Sequence, residues 1–353
     1  MAATKDATTD DTTRGRSLLT LPKAHLHLHF TGSMRIETVR EMADKHGLRL
    51  PNALTRDYPP QLSGVDDRGW FRFQRLYDAA RACVRDEQDM RRIVREAAQD
   101  DAAEGSKWLE IQVDPTSYAG FVGGITPMLE IVIDEAKAAS SDLGIGVGVL
   151  VAASRIKHPY DARTLARLAV QHAGDVLAFG LSNDERRGNT EDFAPAFRIA
   201  HAGGLASVPH SGELLGPQAI SETIDSLGPQ RLGHGVRAAE SDVVLERVLN
   251  NDIALEVCPG SNLALGVYSC PEDVPLRQLF DAGATIALGA DDPLLFDNRL
   301  AAQYETARTV HGFSDEELAE LARHSIRASF APDDSKREMF AEVDAWLTES
   351  PQN

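Results

Sequence analysis

The 353-residue chain contains no apolar run approaching the roughly 20 residues that a membrane-spanning helix needs. It has no Lys/Arg run longer than two, and 36 basic residues face 54 acidic ones for a net charge of -18. Phosphate backbones and anionic membranes are bound through a positive face that releases counterions, so neither nucleic acid nor membrane is an expected partner. Three cysteines, Cys83, Cys258 and Cys270, cannot all pair within one chain, which argues against a disulfide framework and for a reducing cytoplasm. Internal repeats, low-complexity runs and an interdomain linker are also missing. The first 20 residues are Thr/Asp-rich without an apolar core, so they read as a disordered tail rather than a signal peptide or anchor.

What remains is an ordinary globular composition, 42% hydrophobic and 25% charged, which excludes wholesale disorder and coiled coil. Eight short apolar segments, at 24–30, 108–113, 146–153, 176–182, 205–211, 231–236, 254–259 and 285–291, alternate with stretches of helical period. Met90, Ile93, Val94, Ala97 and Ala98 share one helix face that stops near Gly105, and Ser33 is the expected N-cap of a helix over 35–46. Parallel strands joined by helical crossovers predict an α/β fold, and eight repeats predict a (β/α)8 TIM barrel in a single domain over 21–349. One insertion breaks the alternation. Residues 51–85 carry Pro51, Pro59, Pro60 and then Trp70, Phe71, Phe73 and Tyr77, a helical lid after the first strand or an extra helix capping the core.

The first segment reads His25, Leu26, His27, Leu28, His29, Phe30, Thr31, Gly32. Alternation of period two puts the three histidines on one strand face, which points inward in a closed barrel. Buried imidazoles need partners, and a metal is an economical one. Satisfied core histidines are the competing reading for this strand alone. Further polar residues gather at other strand ends: His210 and Glu213, His234 between Gly233 and Gly235, and Asp291-Asp292-Pro293. Barrel enzymes build active sites at that end, so the set points to a divalent-metal hydrolase.

In these motifs the sequence resembles the adenosine deaminase family of metal-dependent hydrolases, from about residue 21 to 296, through His27-x-His29 with Gly32, His210-x-Gly212-Glu213, Gly233-His234-Gly235 and Asp291-Asp292-Pro293. The resemblance implies one zinc per chain bound by His27, His29, His210 and Asp291, with His25 outside the ligand set. It implies that Glu213 protonates the purine ring nitrogen, that His234 handles the proton of the attacking water, and that Asp292 contacts the purine N7. Binuclear relatives need a bridging Lys on the fourth strand, and 176–182 has none; the Cys-x-x-Cys of cytidine-type deaminases is also absent, since Pro259, Gly260 and Ser261 follow Cys258.

Substrate-binding expectations fall on Thr31, Asn183, Trp70 and Phe73, with Ser261 and Asn262 as either pocket residues or turn caps. Asn183 stands where the family usually offers a glycine amide, and Thr31 where adenosine-specific members have an Asp for the ribose 5'-hydroxyl. The Phe-Thr-Gly-Ser stretch resembles the aminodeoxyfutalosine deaminases of menaquinone synthesis. The expected activity is therefore hydrolytic deamination of a 6-aminopurine nucleoside, aminodeoxyfutalosine foremost, with adenosine as the alternative and adenine and AMP behind it. A catalytically inactive nucleoside-binding barrel is the alternative of another class. The partner is a small-molecule nucleoside, with a homo-oligomer left open.

Overall fold

The computed structural model describes residues 15–348. Eight parallel strands pair in sequence order: β1 (Lys23–His29), β2 (Ser106–Val113), β3 (Gly146–Ser154), β4 (Val176–Ser182), β5 (Ala206–Ser211), β6 (Arg231–His234), β7 (Ala254–Val257) and β8 (Ile286–Leu288). The backbone just beyond β8 joins it to β1, with the Asp291 N–H donating to His27 O at 3.0 Å and the His29 N–H to Asp291 O at 3.1 Å. The sheet is thus the (β/α)8 barrel that the alternation predicts, and its order leaves every strand covered by a helix on its outer face.

Register fixes what points inward. His29 pairs with Gln112, Gln112 with Leu150, and Leu150 with Ala178, so these side chains share one layer of the barrel interior. Leu150, Ala178 and Val208 form a small buried cluster at its centre. Above them Ala152 and Gly180 pair side by side, and their small size leaves space where larger residues would fill the mouth. Leu26 and Leu28, of opposite parity to the histidines, are fully buried in the clusters between sheet and helices. Met90, Ile93, Val94, Ala97 and Ala98 are buried on the helix Glu87–Ala103, whose Asp86 side chain caps it by accepting from the Asp89 N–H at 2.9 Å.

Several boundaries differ from the sequence reading, three of them with a visible cause. Ser33 does not cap the helix Ile36–Lys45; its hydroxyl donates to Phe30 O at 2.9 Å, and the N-cap is Arg35. The last strand ends at Leu288 rather than 291, because Asp291 turns into the left-handed region at φ 62°. Of the expected 1–20 tail, 1–14 lie outside the described residues, whereas Leu18 is buried and its carbonyl accepts from Lys23 Nζ at 2.9 Å. The insertion holds the helix Asp67–Arg81, tied to the barrel side through Gly64 N–H donating to Leu265 O at 2.6 Å. Among the described residues, no helix is long and apolar enough to cross a membrane.

Candidate active site

The strand ends gather the predicted residues into one cavity. His29, Thr31, Trp70, Phe73, Asn183, His210, Glu213, His234, Asp291 and Asp292 all line it. One ligand-capable atom from each of His27, His29 and His210 lies within 4.8 Å of the others, and the same holds for His27, His234 and Asp291. His29 Nε2 is 3.2 Å from Asp291 Oδ1 and 3.2 Å from His210 Nε2, while His27 Nε2 is 3.6 Å from the same carboxylate oxygen.

The tautomer of His27 is set from outside this group. Its Nδ1–H donates to Glu256 on β7 at 2.7 Å, so Nε2 carries the lone pair, is buried, and has no hydrogen-bond partner. A buried unpartnered nitrogen facing two more imidazoles and a carboxylate is the donor set of a zinc-type site, and the residues present fit such an ion. His25 turns the other way: its Nδ1 is held by Asp101 at 2.9 Å, and Nε2 accepts from the Ala290 N–H at 3.0 Å.

Local backbone serves the same geometry. His234 and Asp291 both adopt positive φ, 64° and 62°, a conformation that costs a non-glycine residue free energy and is kept here to turn both side chains into the cavity. Gly32 is required by proximity, since a Cβ there would lie 1.7 Å from Asp292 Oδ1. Gly233 likewise leaves room for His210, whose Nδ1 would be 2.8 Å from an added Cβ.

The electrostatics separate the carboxylates. Burial opposes ionisation of Asp291, but the surrounding imidazoles, His29 among them at 3.2 Å, outweigh it and hold its pKa well below the usual range. Burial, with the charges of Asp291 and Glu185 added, pushes Glu213 well up. Burial and Asp291 do the same to Asp292. Burial lowers the pKa of His234 to about 3 and depresses that of His210, so both rings are neutral. One carboxylate pushed toward ionisation beside two pushed toward protonation is the pattern of an acid–base site.

Substrate-side expectations fare unevenly. Trp70 and Phe73 come from the helix Asp67–Arg81 into the cavity wall with ring centroids 5.1 Å apart. Asn183 has φ 80°, the reason glycine suits this position and Asn tolerates it, and its Nδ2 donates to Gln74 of that helix at 3.2 Å. The Thr31 hydroxyl is already bonded to the Tyr118 phenol, so it is not the open space that its size suggests. Ser261 and Asn262 lie buried in the short helix Pro259–Ala264 and are not among the residues lining the cavity.

Sequence reasoning missed a supporting layer. Glu185 Oε2 accepts from three consecutive backbone N–H groups, Glu213 at 3.1 Å, Leu214 at 2.6 Å and Leu215 at 2.9 Å, and so clamps the turn that carries Glu213. Buried Arg155 donates to His210 O at 2.7 Å. Gln112 was also missed, though Glu110, Gln112 and Asp114 alternate along β2 where a parallel strand is normally apolar throughout.

Comparison with known proteins agrees with this arrangement. Residues 22–346 match the sequence profile of the adenosine deaminase family. A Streptomyces virginiae protein with the provisional name adenosine/adenine deaminase is 61% identical over 94% of this chain and 98% of its own length. The crystal structure of an adenine deaminase from Arthrobacter aurescens superposes with a TM-score of 0.86 at 28% identity, covering 93% of this chain and 99% of that one. An Arabidopsis N6-mAMP deaminase gives a TM-score of 0.81 at 26% identity, covering 93% and 99%. The chain belongs to the adenosine deaminase family and is a metal-dependent aminohydrolase of that type.

Proposed function

We propose that the protein binds one zinc through His27, His29, His210 and Asp291 and hydrolytically removes the 6-amino group of a purine nucleoside as ammonia. The observation that carries this reading is the convergence of the unpartnered His27 Nε2 with His29, His210 and Asp291, beside Glu213, at one cavity. Zinc, when bound, supplies Lewis-acid activation of water.

The chain's own residues do the rest. Glu213, kept protonated by burial, donates its proton to N1 of the purine, which makes the neighbouring C6 electrophilic. His234, kept neutral, lies 3.7 Å from Glu213 and 4.0 Å from Asp291; it takes the proton of the attacking water and passes it to the 6-amino group, which leaves as ammonia as the C6–N bond breaks, while the remaining hydroxyl proton returns to Glu213. Asp292 can donate to N7 because it too is held protonated, and its Oδ1 has no hydrogen-bond partner. The backbone at Asn183 faces the N3 side of the ring, and Trp70 and Phe73 cover its face.

The finer substrate assignment rests on Thr31. A Thr in place of a carboxylate removes the penalty for placing apolar atoms at the 5' carbon, which favours a 5'-modified adenosine such as aminodeoxyfutalosine. A second reading, free adenine, is favoured by the name of the Arthrobacter structure. Ammonia release from adenine, adenosine, AMP and aminodeoxyfutalosine by the zinc-loaded protein tests both. Turnover of a nucleoside supports the proposal, adenine alone supports the second reading, and turnover of none contradicts the deaminase assignment.

A further inference from the structure

Two polar side chains in the cavity wall have no place in the chemistry above. Gln112, 3% exposed near the end of β2, has hydrogen-bond partners for neither its amide nitrogen nor its amide oxygen. Ser154, 8% exposed at the end of β3, has none for its hydroxyl. Both line the cavity, and Gln112 pairs in register with His29, so its side chain shares the inward face of the metal-binding histidines. An unpaired buried amide is costly, and a ligand with matching groups removes the penalty.

The orientation of the purine says which part of the ligand that is; this step rests on the proposed deaminase reading. Glu213 follows β5, Asn183 follows β4 and Asp292 follows β8, and the proposed reading sets them against N1, N3 and N7 respectively. With N3 toward β4 and N7 toward β8, the five-membered ring directs N9 toward the remaining sector, the ends of β1, β2 and β3. Gln112 and Ser154 stand in that sector.

We propose that Gln112 and Ser154 are specificity-determining residues that bind the hydroxyl groups of an unphosphorylated ribosyl or deoxyribosyl substituent on N9. An amide presents a donor and an acceptor together, and each sugar hydroxyl is both, whereas adenine has nothing beyond N9 to satisfy them. The rim above them argues against a phosphate. Its two cations are already neutralised, Lys157 by Asp114 at 2.7 Å and Arg81 by Asp78. The cavity therefore offers polar but charge-balanced surroundings past the base.

The test compares kcat/KM for adenosine, adenine and AMP in zinc-loaded wild type, Gln112→Leu and Ser154→Ala. Adenosine is expected to be the best of the three for wild type, to fall about 10- to 100-fold in Gln112→Leu and less in Ser154→Ala, while adenine changes by under about threefold. Calorimetry gives a readout independent of turnover: inosine binding weakens in Gln112→Leu and hypoxanthine binding does not. Equal losses for adenosine and adenine, or wild-type preference for adenine or AMP, would overturn the inference while leaving the deaminase reading intact. Deamination of no 6-aminopurine by the metal-loaded protein would overturn that reading, and this inference with it. Ser154→Ala removes a single oxygen, so it carries the comparison should Gln112→Leu fold poorly.

Discussion

The two ends of the barrel interior handle buried polarity in opposite ways. At the N-terminal end, Arg231 on β6 donates to Glu256 at 2.7 Å, to Glu110 and to Ala328 O at 2.9 Å, and its guanidinium lies 4.1 Å from the Phe330 ring centre. Glu110 also accepts from Trp108 Nε1 at 2.8 Å and the Phe330 N–H at 2.7 Å, so each charged group there is matched. At the C-terminal end, His27 Nε2, Gln112, Ser154 and Asp292 Oδ1 are buried with no partner. The lesson is that burial of polar groups alone does not mark a site: paired groups hold the fold, and unpaired groups aimed into a cavity are held for a ligand. Glu256 joins the two ends, since one oxygen takes Arg231 and the other takes His27.

The largest expected effect breaks the unpaired end. His27→Ala or Asp291→Ala removes a proposed ligand and is expected to abolish metal retention and activity together, checked by metal analysis of purified protein alongside ammonia release. Full activity in a metal-free Asp291→Ala protein would show that the cluster is not the reaction centre. Glu213→Gln comes next, retaining metal while turnover falls roughly 100- to 10,000-fold, because an amide cannot deliver a proton. The pH profile gives the sign independently. Burial raises the Glu213 pKa, the reaction uses the protonated form, and so kcat declines as pH rises through that raised value. The Gln variant should lack this alkaline limb.

The paired end is tested by stability. Arg231→Met leaves Glu110 and Glu256 buried without their shared cation and should cost about 3–5 kcal/mol in denaturant unfolding. An unchanged midpoint would mean that the triad does not hold the fold. The smallest effect concerns Thr31→Asp. Its wild-type hydroxyl is tied to Tyr118, and a carboxylate there is expected to shift kcat/KM by about tenfold toward adenosine relative to 5'-modified adenosines. An unchanged ratio would remove Thr31 from the specificity residues.

Much of the site was legible because chemistry and periodicity coincide there. His25, His27 and His29 alternate on one strand, and His210, Glu213, His234, Asp291 and Asp292 stand at or just past the ends of apolar segments, so position along the strands brings them to one end of the barrel. The eight-strand barrel followed from the same segments. Less legible were features that depend on distant partners. Glu185 looks like any surface acid until its three N–H bonds to residues 213–215 are seen. Arg231 and Glu110 are 121 positions apart, so nothing local to either segment announces their pairing. The bond between Thr31 and Tyr118 likewise joins residues 87 positions apart. Ser33 shows the local counterpart: a hydroxyl next to a helix start can bond backward instead of capping.

The central claim is that the unpaired end of the barrel is a mononuclear zinc deamination site. Its most direct test is titration of zinc into metal-stripped protein while ammonia release from adenosine is followed. The account predicts that activity is absent without metal and rises linearly to a break at about one zinc per chain. A break at about two, or full activity before any zinc is added, would contradict it.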